Sequence, residues 1–160
     1  TPMLVPIDID FFRHSILIAV LINHPEAYDH IGERLGSIIC PSTSLDKLRQ
    51  EVLKICEGQT KIGSEFILDQ LRKLGYSEAL ESVLSEDVLE HAYFIRLGTP
   101  IDEVTLGWDE LFNQVKAKEL AAEIEVAEKT YASQPNNDTW NRLVALRKQE
   151  IENKPDELAY

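Results

Sequence analysis

Residues 99–132 read TPIDEVTLGWDELFNQVKAKELAAEIEVAEKTYA, and this stretch decides the fold. Thr99 is suited to cap a helix, Pro100 to occupy its first position, and Asp102 to interact with the positive end of the helix dipole. The next helix breaker is Pro135. The stretch therefore predicts one helix of roughly 30 residues and about 45 Å, which is longer than a small domain needs.

The apolar positions of this helix fall in two phases. The first stripe comprises Trp108, Leu111 and Val115, and the second comprises Leu120, Ile124, Ala127 and Tyr131. A helix turns about 100° per residue, so the five-residue step from Val115 to Leu120 rotates the second stripe away from the first. We expect the first half of the helix to pack on the preceding chain and the second half on residues 138–153, with a hinge near Lys116 to Glu119.

The whole pattern predicts an all-α fold in three parts. These are an arm over residues 1–12 that leads in from an upstream linker, a six-helix bundle over 13–115, and a C-terminal helical hairpin over 116–160. With 7 Gly, 7 Pro and almost no β-branched alternation, the composition favours helices. The chain begins with Thr1, and we expect it to be a fragment of a longer protein.

Capping signals divide the bundle into helices. The first helix, from Arg13 to Ile22, is apolar nearly all round, which predicts a central buried helix. A second helix is predicted from Pro25 to Leu35. We expect serines to open the next four helices, with glycines ending two of them, at Ser44, Ser64, Ser77, Ser85, Gly58 and Gly75.

The last helix is predicted to run from Asp138 to Asn153. Its expected inner face comprises Trp140, Leu143, Val144, Arg147 and Ile151, with Leu146 beside it. On this interpretation Trp108 and Trp140 are both core residues rather than surfaces on which nucleic-acid bases stack.

The charge is strongly acidic and uneven. The 160 residues carry a net charge of −12. Residues 1–115 hold 9 Lys and Arg against 19 Asp and Glu, whereas residues 116–160 hold 7 against 9. This balance disfavours direct binding of nucleic acid. A hairpin of mixed charge suits a protein partner better than a nucleic acid. Solvated helix faces that bind no partner explain the same charges equally well.

No motif for catalysis or cofactor binding stands out. Phosphate-loop, dinucleotide and nucleophile-elbow patterns do not occur, and the four histidines never pair at i, i+4. We expect no metal, no cofactor and no enzymatic activity in this chain. Cys40 and Cys56 are expected to be buried free thiols. No apolar run reaches the ~20 residues of a membrane span and no secretory signal pattern occurs, so we expect no membrane contact and a cytoplasmic location.

Helix-packing patterns along the chain resemble the C-terminal domain of bacterial DNA primases. The similarity is carried by SILIAVLINHPE (15–26), LRQEVLKIC (48–56), residues 64–73, residues 108–129 and the last helix. It covers nearly the whole chain after Arg13. The resemblance implies a helical bundle plus a hairpin that performs no chemistry and binds the N-terminal domain of the hexameric replicative helicase. Such a domain recruits primase to the replication fork and stimulates the helicase, while the zinc-binding and primer-synthesising domains lie upstream.

The resemblance, together with the phase shift of the long helix, places the helicase site on the hairpin, by docking of a helix in a groove. The candidates are Tyr131, Arg142, Leu143, Leu146, Arg147 and Glu150. Tyr131, Leu143 and Leu146 could instead only hold the two helices together. In some relatives the first helix also receives the acidic tail of the single-stranded-DNA-binding protein, and the corresponding residues here are Arg13, His14 and Ile18.

Two other functions compete with this one. The chain could be the N-terminal collar domain of the replicative helicase itself, which has a similar helical fold and an early apolar helix. It could also be an unrelated helical adaptor that binds no helicase. The proline-containing arm and the chain end soon after Pro155 favour the primase interpretation.

Overall fold

The computed structural model describes residues 8–59 and 61–154. Its helices are α1 Ile9–Asn23, α2 Tyr28–Gly36, α3 Thr43–Cys56, α4 Ser64–Lys73, α5 Ser77–Val83, α6 Glu86–His91, α7 Ile101–Ser133 and α8 Asn137–Asn153, with 3₁₀ turns at Pro25–Ala27 and Tyr93–Ile95. No strand occurs within these residues, so the predicted all-α class is confirmed. None of these helices combines the length and apolarity that a bilayer crossing requires.

The chain divides into two compact units. The first ends at Phe112 and the second begins at Asn113, so α7 contributes its N-terminal part to one unit and its C-terminal part to the other. The two-phase apolar pattern predicted this division between Val115 and Lys116. The helix continues without interruption through Lys116 to Glu119, where a hinge was expected.

Helix α1 is the centre of the first unit. It contacts α2, α3, α4, α5 and α6, and every side chain from His14 to Ile22 is buried. The prediction of a central buried helix is confirmed, because a helix that is apolar all round can be covered on every side.

The start of α1 corrects the predicted arm. Residues 9–12 are helical, because the Asp8 carboxylate accepts a hydrogen bond from the Phe11 amide at 3.0 Å and caps the helix. The remainder of the predicted arm, residues 1–7, lies outside the described residues. At the other end of the chain, so do residues 155–160 of the predicted hairpin.

Other helix starts follow the predicted signals only in part. Ser85 caps α6 as expected, through its hydroxyl and the Val88 amide. Ser42, rather than Ser44, caps α3 by accepting from the Leu45 amide at 3.1 Å. Helix α7 begins at Ile101, and the Thr99 hydroxyl donates to the carbonyl oxygens of Tyr93 and Arg96 in the preceding loop.

Helices α3 and α4 end just before Gly58 and Gly75, as predicted. Gly58 and Gly75 have φ of 74° and 91°, a left-handed conformation that favours glycine. Ser64 and Ser77 begin α4 and α5 as expected, but neither acts as a capping residue: the N-cap positions are Gly63 and Tyr76 and lack side-chain cap bonds.

The second unit contains the C-terminal part of α7 and the whole of α8. Its core comprises Leu120, Ile124, Ala127 and Leu146, with Leu143 packed against them. Asn136 caps α8 by accepting from the Thr139 amide, and Thr139 Oγ1 accepts from the Asn136 amide. This reciprocal pair satisfies two backbone donors at the tight connection between the helices.

Candidate protein-interaction surface

An apolar stripe is exposed along α8. Trp140, Val144 and Ile151 are 50, 44 and 71% exposed, and we call these three residues the α8 stripe. Their spacing of four and seven residues puts them on one face of the helix. Together with Leu143 and the stems of Arg147 and Lys148, they line a shallow apolar depression.

The α8 stripe contradicts the predicted inner face of this helix. Among the described residues of α8 only Leu146 is buried, and Leu143 is half-buried. The buried face is therefore rotated by about one residue, or roughly 100°, from the one predicted. The helix carries two apolar stripes that share Leu143, and a single partner helix can cover only one of them.

Trp140 illustrates the same correction. The apolar stripes predicted that both tryptophans lie in the core. Trp108 is fully buried and donates its indole N–H to the Leu17 carbonyl at 3.1 Å. Trp140 is half-exposed, with its ring centroid 5.3 Å from that of Tyr131.

Salt bridges between α7 and α8 flank the core of the second unit. Arg147 pairs with Glu128, and Arg142 approaches Glu123 at 3.7 Å. All four side chains are about half-exposed or more, so these pairs add little stability by themselves. They hold the arginine side chains along the two edges of the helix pair.

The predicted helicase-binding residues are distributed over different faces. Tyr131 and Arg147 lie next to the α8 stripe, whereas Arg142 borders a separate groove with Val126 and Thr130. Leu146 is buried in the core of the unit and offers no contact surface. Leu143 and Glu150 are half-buried. The structure therefore brings Tyr131, Leu143 and Arg147 together beside the α8 stripe. It adds Trp140, Val144 and Ile151, which were predicted to lie in the interior.

The residues matched to a tail-binding site lie in or near the core of the first unit. Ile18 is fully buried, His14 is buried, and Arg13 is half-buried. His14 Nδ1 donates to the Asp10 carbonyl at 2.7 Å, and its Nε2 is buried without a hydrogen-bond partner among the residues that the structure describes. An acidic tail would find no exposed apolar contact at Ile18.

A polar cluster that the sequence pattern does not predict lies on the first unit. Asp109 accepts from Arg34 at 2.7 Å and lies 3.1 Å from His30 Nε2. The Arg34 guanidinium also lies 4.8 Å from the centre of the Trp108 ring, a cation–π arrangement. No local signal in the sequence connects residues 34 and 109, so this cluster could not be predicted from the pattern along the chain.

Cys40 and Cys56 are both buried free thiols, as predicted. Burial raises the pKa of Cys56 to about 11, which keeps it protonated and unreactive at neutral pH. Among residues 8–59 and 61–154, no three His, Cys, Asp or Glu side chains cluster in a way that could hold a metal ion.

Comparisons of the chain with protein-family models, with curated proteins and with solved structures found no match.

Proposed function

We propose that this chain is the non-catalytic C-terminal domain of a bacterial DNA primase, which binds the N-terminal domain of the hexameric replicative helicase. It would recruit primase to the fork and modulate the helicase. The proposed arrangement is a six-helix body followed by a helical hairpin that makes the contact. The resemblance of residues 15–26, 48–56, 64–73 and 108–129 to that family supports the proposal.

The single observation that carries the proposal is the α8 stripe. A helix in a two-helix unit has no internal reason to expose three large apolar side chains on one face. Anchors repeated at helical spacing are the signature of a helix that docks into an apolar groove. Trp140 supplies an aromatic anchor and Arg147 a flanking cation, and tryptophan and arginine are enriched among residues that dominate binding energy.

The proposal places the helicase contact on Trp140, Val144 and Ile151 rather than on Leu146. It retains Tyr131, Leu143 and Arg147 beside these anchors and assigns Arg142 and Glu150 to the margin. It does not extend to the tail of the single-stranded-DNA-binding protein, because Ile18 is fully buried.

The test is binding of the whole chain to the N-terminal domain of the replicative helicase from the same cell. Fluorescence anisotropy gives the affinity, and size-exclusion chromatography with light scattering gives the size of the complex. We expect the double variant Val144→Asp/Ile151→Asp to bind at least about 100-fold more weakly, because it places two charges in an apolar contact. Val126→Asp is the matched control, since Val126 is 64% exposed on the same unit but lines the other groove.

Each alternative has its own outcome in this experiment. A folded, monodisperse chain that forms no complex would remove the primase proposal and leave a helical adaptor. Assembly of the chain alone into rings would favour the helicase collar. Equal losses from the stripe variant and from Val126→Asp would contradict the placement of the contact on the α8 stripe.

A further inference from the structure

A groove of about 610 Å³ runs between α2 and α3 in the first unit. Its α2 side consists of Tyr28, Asp29, Gly32, Glu33 and Gly36. These residues share one face of the helix, because residues three or four apart in a helix lie above one another. Binding pockets for small molecules occupy about 300–1,000 Å³, so the groove has room for the side chains of a partner.

Two glycines keep the α2 side of the groove low. A Cβ atom on Gly32 would lie 2.7 Å from Tyr28 Cε2, so the tyrosine ring lies against the glycine. A Cβ atom on Gly36 would make an ordinary contact of 3.8 Å with Leu53 Cδ1, which belongs to α3. Because these two positions carry no side chain, a bound segment can approach the backbone of α2 closely.

The cation at one end of the groove is neutralised within the first unit. Arg49 Nη1 donates to the carbonyl oxygens of Leu35 and Gly36 at 3.2 and 3.3 Å. Its Nη2 lies 2.9 Å from the Asp46 carboxylate. The charge of Arg49 is therefore already paired and does not attract an acidic partner.

The Tyr28 end of the groove combines an aromatic ring with two carboxylates. Glu57 follows α3 directly and lines the groove together with Tyr28 and Asp29. Burial first, then Glu57 and more weakly Asp29, raise the pKa of Tyr28. Arginine suits such surroundings, because its planar guanidinium stacks on aromatic rings and binds a carboxylate through two hydrogen bonds.

The charged groups of the groove that are available to a partner are mostly acidic. Asp29, Glu33 and Glu57 are exposed and form no salt bridge with any residue that the structure describes. Lys54 is exposed in the same way and lines the groove as well. Among the described residues of the groove, three carboxylates thus stand against one ammonium group, since Arg49 is paired with Asp46.

We propose that the groove between α2 and α3 binds an arginine-bearing segment of a partner protein. The guanidinium lies against the Tyr28 ring, near Glu57 and Asp29. The neighbouring residues of the segment lie along Gly32 and Gly36. Charge complementarity selects this occupant, because the same carboxylates repel nucleic acid, an anionic membrane and a second acidic copy of the chain.

The bound segment is short. Tyr28 and Gly36 are about 12 Å apart along α2, a length that about four extended residues cover. The groove belongs to the first unit and does not involve the α8 stripe. The helicase proposal and this one can therefore fail separately.

The probe is a peptide of about nine residues, long enough to span the groove, with Gly and Ser around a central Arg-Ser-Arg. It is added to the whole isotope-labelled chain, and NMR spectra follow the amides of Gly32 and Gly36, which report directly on the groove. We expect saturable shifts of these amides and an affinity that falls as salt rises. A peptide with Lys in place of Arg should bind about 3-fold more weakly.

Two variants test the groups that recognise the arginine. Asp29→Asn/Glu57→Gln should weaken binding at least about 10-fold and flatten its salt dependence. Tyr28→Leu should weaken binding about 3-fold, since it removes the aromatic face and keeps the apolar bulk. The matched control is Glu81→Gln/Glu90→Gln, which removes two charges at exposed positions of α5 and α6 outside the groove and should change the affinity less than about 2-fold.

Several outcomes would overturn the proposal. These are the absence of saturable shifts at Gly32 and Gly36, equal binding of a peptide with Glu in place of Arg, and equal losses from the groove variant and its control. Displacement of the peptide by magnesium chloride, at an ionic strength where sodium chloride leaves it bound, would make the groove a metal site instead. Circular dichroism checks the fold of each variant. Because Asp29 and Glu57 are exposed, their double variant keeps the test decisive if Tyr28→Leu unfolds.

Discussion

At the scale of single residues, Asp46 and Arg49 form a largely buried ion pair in the first unit. Arg49 Nη2 lies 2.9 Å from the Asp46 carboxylate, and the guanidinium also donates to the carbonyl oxygens of Leu35 and Gly36. The Cys40 amide donates to the same carboxylate at 3.1 Å. The pair thus joins the end of α2, the following loop and α3.

Removal of the Asp46 carboxylate would leave the Arg49 charge buried with only carbonyl partners. We expect Asp46→Ala to lower the free energy of unfolding by about 2–3 kcal/mol, measured by urea denaturation. Asp69→Ala is the matched control, because it removes an exposed helical pair with Lys73 at 3.0 Å. It should cost at most about 0.5 kcal/mol. Equal losses in the two variants would contradict the role given to the buried pair.

The Asp46 carboxylate should also make the free energy of unfolding depend on pH. The Cys40 amide and, after it, Arg49 lower the pKa of Asp46, against the opposing effect of burial. The folded state therefore binds this proton less readily than the unfolded state, whose Asp pKa is about 3.9. The stabilisation is present above that value and is lost as pH falls through the lowered folded pKa. Urea denaturation between pH 6 and pH 3 (roughly the window of the effect) should show a smaller loss for Asp46→Asn than for the natural chain; parallel curves would contradict the prediction.

The cysteines give a chemical test of burial. Since the pKa of Cys56 is raised to about 11 and both thiols are buried, the native protein should react with a thiol reagent such as DTNB at pH 8 at least about 100-fold more slowly than the urea-unfolded protein. A thiol that reacts at the unfolded rate would show that its surroundings open readily.

At the scale of elements, α8 has two apolar faces, and either of them could in principle pack against α7. Leu146 carries the buried face and Ile151 the exposed one, although the two side chains are nearly equal in apolarity. We expect Leu146→Ala to lower the stability of the second unit by about 2–3 kcal/mol. Ile151→Ala should change it by less than about 0.5 kcal/mol. Hydrogen exchange of the α8 amides in the whole chain, followed by mass spectrometry, measures both, and the reverse order would restore the predicted inner face.

At the scale of the whole molecule, the chain contains two cores of very different size. The first unit buries α1 on all sides, whereas the second has the four-residue core around Leu146. Each unit contains one tryptophan. We expect the second unit to unfold at lower urea, because it buries less apolar surface.

Single-tryptophan variants test this difference. Trp140→Phe leaves Trp108 to report the first unit, and Trp108→Phe leaves Trp140 to report the second. The fluorescence transition of Trp140 should come at lower urea than that of Trp108. Coincident transitions, with far-ultraviolet circular dichroism following the same curve, would show that the two units unfold as one.

The sequence by itself determined the helical class, the central position of α1 and several helix ends, because these depend on local features. A helix that is apolar on all sides must be buried, and Gly58 and Gly75 end helices through their own backbone freedom. The Ser85 cap likewise needs only a bond three residues long in the chain. Ser42 was missed in favour of Ser44, since both residues lie close enough to the start of α3 to cap it.

Only the tertiary structure decided which surfaces are exposed. Burial of an apolar stripe depends on whether another element covers it, and α8 offers two stripes for one partner helix. The exposed positions of Trp140, Val144 and Ile151 therefore could not be derived from hydrophobic periodicity. The same holds for Asp109 with Arg34, because side chains 75 residues apart meet only through the packing of the helices that carry them.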